Sequence, residues 1–286
     1  MMEREYSNNW GKIFWQRFRR HRLALVGAVL LICLYMSAIF APMLAPYSPR
    51  AQDLSNRYAP PSSEHWFGTD LYGRDIFSRV IYGGRISLSV GLVSVAIALT
   101  IGTTIGALAG YYGGWLDNVL MRFTEVVISF PILFLIIAVV AIIGPSIFNI
   151  MVVIGFTAWP GTARLVRGQF LSLREQDFVE AARALGAREL RIIFRQILPN
   201  AVAPIIVAGT LGVASAILVE SALSYLGIGV QPPTPSWGNI LYEGQRFIRR
   251  AWWYTVFPGA FIFVTVLSFN LVGDALRDAL DPRLRE

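Results

Sequence analysis

The feature that most constrains this chain is a series of apolar runs, each close to the length of a bilayer crossing, separated by polar segments. A hydrocarbon core about 30 Å thick takes about 20 helical residues, and only helices or closed barrels satisfy every backbone group inside it. Runs of this length point to helices, so the chain reads as an all-α, polytopic integral membrane protein. Six spans are predicted, at 23–44, 87–110, 119–143, 147–163, 201–227 and 252–272, behind a polar and basic segment at 1–22. Residues 23–286 then form one membrane domain. The third run continues through Pro131 to an external turn at Gly144-Pro145, and Pro160-Gly161 interrupts the fourth. Composition agrees, since 55% of the 286 residues are hydrophobic and only 15% are charged; a soluble domain carries about 25% charge. With both termini cytoplasmic, the cytoplasmic segments hold roughly 17 of the 25 Lys and Arg residues and the external ones about 8, the bias of the positive-inside rule.

Several function classes are disfavoured. The one cysteine, Cys33, lies in the first apolar run, so there is no disulfide framework. His21 and His65 have no neighbour at metal-ligand spacing, which argues against a zinc site or a Ser/His/Asp triad. Lys12, in Gly11-Lys12-Ile13, is the only lysine and lacks the glycine-rich turn and following Ser or Thr of a P-loop. No catalytic or metal site and no cofactor is expected in this chain, and any ATP it depends on is hydrolysed elsewhere. The net charge of +7 suits cytoplasmic arginines beside a membrane, and no nucleic-acid module is visible. A secondary transporter would show inverted repeats and polar groups at mid-membrane, whereas no such repeat is seen and the span interiors are nearly uncharged.

Between the fourth and fifth spans stands DFVEAARALGARELRIIFRQILP, Asp177 to Pro199. Asp177 and Glu180 have capping-box spacing, so a helix is expected from Phe178, ending after about two turns at Gly186. A second, amphipathic helix places Leu190, Ile193, Phe194, Ile197 and Leu198 on one face, and Pro199 closes it. On pattern alone this is equally a surface loop on the membrane or a knob that docks into another protein's groove.

The residues Glu180-Ala181-Ala182, then Gly186, then Ile197-Leu198-Pro199 resemble the EAA loop of the membrane subunits of bacterial ABC importers. One detail departs from the usual form, since the isoleucine directly precedes Leu198-Pro199 where the general pattern has one residue between. The series Phe67-Gly68-Thr69-Asp70, Gly73-Arg74-Asp75 and Ser78-Arg79, and the tail from Gly273 to Pro282, resemble the C-type permease of the dipeptide, oligopeptide and nickel branch. The resemblance covers nearly the whole chain. It implies a multi-pass subunit of a bacterial or archaeal plasma membrane, surrounded by lipid and paired with a B-type sister permease. Two cytoplasmic ATPases that bind ATP and Mg, and an extracytoplasmic solute-binding protein, complete the set. The cargo would be a dipeptide or oligopeptide, with nickel or glutathione as alternatives, and the Glu180–Pro199 loop would be the ATPase-coupling element.

Five further features bear on function. Gly102, Gly106 and Gly110 make a flat strip for close helix packing. Asp70 and Asp75 read better as members of a charge-paired fold than as metal ligands. Glu220 falls near the external end of the fifth span, where a transport role and a hydrogen bond to a neighbouring loop both fit. Pro232 and Trp237, in the proline-rich segment 228–251, suit a gate or docking surface. Trp252, Trp253 and Tyr254 read as an interfacial anchor for the last span.

Overall fold

The computed structural model describes residues 16–19 and 21–280, so residues 1–15, Arg20 and residues 281–286 lie outside it, with Arg4, Lys12, Asp281 and Pro282 among them. Among the described residues the structure is helical, with a single isolated bridge between Thr69 and Asp75. Helix α1 (Arg22–Ile39) breaks at Phe40, and the short α2 (Ala41–Leu44) follows with proline in its first turn. Helix α3 (Ile76–Tyr112) is capped by Asp75, whose carboxylate accepts from the Ser78 amide at 2.7 Å. Its 37 residues rise about 55 Å, so the predicted span 87–110 is only the inner part of a rod longer than the bilayer core.

The predicted turn at 111–118 is much tighter than expected. Gly113 and Gly114, at φ +67° and +55°, reverse the chain, and α4 (Gly114–Ser129) starts at once. The predicted third span is not one rod either: α4 and α5 (Ile132–Ile143) are bent by 84°. Phe130 is extended, with φ −88° and ψ 130°, because a residue before proline is driven from helical geometry. Helix α6 (Ile147–Leu173), in contrast, continues unbroken through Pro160 and past the predicted limit at residue 163.

The Asp177–Pro199 region forms α7 (Asp177–Ala184), one turn α8 (Glu189–Arg191), a wide π turn (Ile192–Ile197) and α9 (Leu198–Tyr225). Pro199 lies in the first turn of α9 and terminates nothing; the segment Glu189–Tyr225 is helical throughout. The proline follows just after the wide π turn, where the regular hydrogen-bond ladder is already interrupted. Helix α10 (Trp237–Gly244) and α11 (Trp253–Leu280) complete the chain, and α11 carries the tail well beyond the predicted end at residue 272.

Among the described residues four helices are long and apolar enough to cross a membrane, and the count is five if the bent α4–α5 pair is one span. The fourth predicted span, 147–163 in α6, is not among them; Asn149, Thr157, Pro160-Gly161 and Arg164 dilute its apolar run.

The tightest packing joins α3 to α6. A Cβ at Gly102 would lie 2.7 Å from the Trp159 carbonyl, at Gly106 2.4 Å from that of Ala163, and at Gly110 2.7 Å from that of Arg167. The glycine strip thus brings two backbones together, as its spacing predicts. Dispersion along this seam offsets the hydrogen bond lost at Pro160. Helix α9 packs between α3 and α11, and α1 lies along α11, where His21 approaches Asp278 at 3.7 Å.

Candidate functional site

The Asp177–Ile197 knob is built around a helix stop. Gly186 adopts φ +74°, its amide donates to the Arg183 carbonyl at 2.9 Å and the Ala187 amide to that of Ala182 at 3.0 Å. These two bonds are the Schellman pair that ends a helix in the left-handed conformation. The start differs from expectation. The N-cap is Gln176, no side chain caps the helix, and Asp177 and Glu180 lie within its first turn, where they favour the positive end of the helix dipole. The predicted capping box does not form.

The apolar face also differs. Ile193 and Ile197 are buried as predicted, but so is Ile192, while Leu190 and Phe194 are 66% and 61% exposed. A π turn advances fewer degrees per residue than an α turn, which rotates the register away from the 3.6-residue pattern. Ile192, Ile193, Ile197 and Val179 pack with Val166 and Phe170 of α6 and Tyr111 of α3. Polar contacts lock the same seat: Arg174 donates to the Gly110 and Tyr111 carbonyls at 3.1 and 3.3 Å, and Tyr112 to Glu189 at 3.1 Å. Arg167 grips Asp117 of α4 with two bonds, at 2.5 and 2.7 Å. At the helix stop, Glu180, Ala181, Leu185 and Gly186 are exposed, Leu185 at 88%, and Ala182 is half-buried. Of the other predicted residues here, Leu198 is half-buried and Pro199 exposed.

The opposite end of the bundle holds a buried charge cluster. Asp70 accepts from Arg74 at 2.5 Å and from Arg79 at 2.6 Å. The same two arginines donate to Glu243 at 2.6 and 2.7 Å, and the Tyr254 hydroxyl donates to it at 2.5 Å. Asp75 pairs with His65 at 2.9 Å and accepts twice from Ser78. The charge-paired reading of Asp70 and Asp75 therefore holds. Burial opposes ionisation of Glu243, yet the neighbouring Arg79 and Arg74 outweigh it and hold the carboxyl below its ordinary range. Tyr254 is fully buried in this cluster and Trp253 nearly so, leaving Trp252 as the exposed member of the predicted anchor. Sequence reasoning missed Glu243 and the Arg167–Asp117 pair, because partners 164 and 50 residues away leave no local pattern.

Glu220 is fully buried. Its carboxylate accepts from Ser224 of its own helix at 2.8 Å and from Ser87 of α3 at 3.0 Å, so these two partners stand on helices rather than on the neighbouring loop. Trp237 is 1% exposed; its indole donates to the Val80 carbonyl at 2.9 Å, and its ring lies against Gly84. Pro232 is exposed on the turn between them. Glu220 and Trp237 meet through Ser87, whereas the knob residues lie at the far end of α9.

Residues 102–286 match the family described as the binding-protein-dependent transport system inner membrane component. Residues 9–61 match the N-terminal transmembrane domain of oligopeptide transport permease C. The chain is 48% identical to the dipeptide transport system permease protein DppC of Alkalihalophilus pseudofirmus, covering 96% of this chain and 90% of that one. It is 47% identical to the glutathione transport system permease protein GsiD of Escherichia coli O6:K15:H31, over 95% and 90%. The DppC of Bacillus subtilis is 43% identical over 95% and 85%. Among solved structures, the MetNI methionine ABC transporter in an inward-facing conformation shares the fold, with a TM-score of 0.58 at 20% identity, over 71% of this chain and 96% of that one. The chain is an integral membrane protein that belongs to the binding-protein-dependent transport system inner membrane component family, within its oligopeptide permease C branch.

Proposed function

We propose that this chain is one permease subunit of an ATP-binding-cassette importer and lines the path by which a dipeptide or oligopeptide crosses the plasma membrane. The observation that carries the reading is the knob. Glu180, Ala181, Ala182 and Gly186 form a small, largely exposed corner whose underside is fastened to α3 and α6. Such a corner passes a push from a docked partner directly into the membrane helices.

In this reading the knob is cytoplasmic, both termini are cytoplasmic, and α6 is a sixth span. The seam of α6 against α3 supports that count, because a helix packed along a spanning helix lies in the membrane with it. Two ATPases bind ATP and Mg and act on the knob and on its counterpart in a B-type sister permease. A solute-binding protein delivers cargo to the external face, where Glu220, Pro232 and Trp237 mark the gate. Glutathione is the second reading for cargo, favoured by the relatives named for its transport.

The test is co-expression with the sister permease and ATPases, followed by reconstitution. The expected result is a complex with one copy of each permease, hydrolysis that requires the ATPases, and uptake of labelled dipeptide in excess over glutathione. ATP turnover by the isolated chain, or transport by this chain paired only with itself, refutes the proposal.

A further inference from the structure

The two oxygens of Glu220 each reach one end of the same external segment. Ser224 donates to Oε1 at 2.8 Å, and the Ser224 hydroxyl in turn accepts from the Val230 amide at 3.0 Å. Ser87 donates to Oε2 at 3.0 Å, and its hydroxyl accepts from the Trp237 amide at 3.3 Å. Each serine uses its one donor toward the carboxylate and a lone pair toward the backbone, so the relay is chemically consistent at every atom. The segment is also pressed onto α9 at both ends. A Cβ at Gly229 would stand 2.1 Å from the Ser224 hydroxyl, and one at Gly238 would stand 2.7 Å from the Ser221 backbone. Between these fastened ends, Gln231, Pro232 and Pro233 are exposed.

Glu220 lies close to one end of the helix that runs unbroken from Glu189 to Tyr225, 37 residues or about 55 Å. The other end of that helix is the knob. We propose that Glu220 is a positioning residue that fixes Val230–Trp237 to this rod, so that displacement of the knob moves the external segment. The proposal rests on the importer reading and adds a specific mechanical link to it. The side chain suits the task because one group with two oxygens joins both ends of a loop to one helix.

The test uses the complete transporter in proteoliposomes, on a Cys33→Ser background, with Gln231→Cys as an external reporter for a membrane-impermeant maleimide. In the otherwise unaltered chain, the labelling rate differs between the nucleotide-free state and the state trapped with ATP and vanadate. With Glu220→Ala the reporter labels fast in both states, about tenfold above the slower rate of the unaltered chain, as expected when the hydrogen bonds that hold the segment are lost. Ser224→Ala and Ser87→Ala guard against a Glu220 variant that fails to insert. Ser224→Ala frees the Val230 end and speeds labelling at Gln231→Cys, while Ser87→Ala frees the Trp237 end and speeds it at Thr234→Cys. Nucleotide dependence retained in Glu220→Ala, or in Ser224→Ala if the first does not insert, overturns the link. A Gln231→Cys reporter insensitive to nucleotide in the unaltered complex, with ATPases bound, overturns it too. Failure of the ATPases to bind the unaltered chain removes the importer reading and this proposal with it.

Discussion

Gly106→Ala adds one methyl group at the tightest point of the α3–α6 seam. The new carbon would stand 2.4 Å from the Ala163 carbonyl oxygen, 2.8 Å from the Val166 Cβ and 3.0 Å from the Arg167 nitrogen. Two of these neighbours are backbone, so no side chain can turn aside. Ordinary contact begins at 3.4 Å, so the helices must part locally by about 1 Å, a gap that forfeits about a quarter to a half of the dispersion between facing atoms. The expected cost is about 1–3 kcal/mol. Gly168→Ala on α6 is the matched control. Nothing lies within 4 Å of its added carbon, and alanine gains up to about 1 kcal/mol over glycine inside a helix. The assay is thermal unfolding of the purified chain in detergent, followed by tryptophan fluorescence. At about 2–4 °C per kcal/mol, Gly106→Ala falls by about 2–12 °C while Gly168→Ala holds or rises. Equal melting temperatures, or a more stable Gly106→Ala, would refute the argument that the strip exists for backbone contact.

Three other outcomes follow from the same structure. Gly186→Val forces a β-branched residue to φ +74° at a cost of about 1–3 kcal/mol without a steric clash; the complex should insert normally but lose ATPase stimulation by loaded binding protein, and normal stimulation would return the knob to the status of a surface loop. Glu243 has a depressed carboxyl value, so its stabilisation is present above the unfolded value and is lost as pH falls through the folded one; Glu243→Gln should cost about 1.5–3 kcal/mol at neutral pH and flatten the acid limb of the melting curve, and parallel curves would count against the cluster. Single cysteines at the exposed positions Ser48 and Gln231 should react with impermeant reagents from outside intact cells and one at Ser172 only after permeabilisation, whereas external labelling at Ser172 inverts the topology.

What the linear chain determined is what depends on near neighbours and on solvent. Apolar runs of bilayer length dictate helices, because unpaired backbone groups cannot remain in hydrocarbon. Gly186 must end α7, since the left-handed turn there suits a residue without a Cβ, and Gly102, Gly106 and Gly110 announce a close helix seam by their four-residue spacing. The acids and arginines of residues 70–79 point to internal pairing for the same local reason.

What tertiary packing decided is where competing local signals were settled by distant partners. The helix breaks at Pro131 and continues through Pro160. Phe130 and Pro131 are exposed, whereas the turn around Pro160 is pressed against the glycine strip of α3. The knob's buried face was set by a π turn seated on Tyr111, Val166 and Phe170, which a 3.6-residue period cannot anticipate. Glu243, Asp117 and the two-ended hold of Glu220 depend on side chains brought together from 50 to 164 residues apart. Periodicity reports which way a residue faces along its own helix; only the folded bundle decides which charge or hydroxyl stands opposite it.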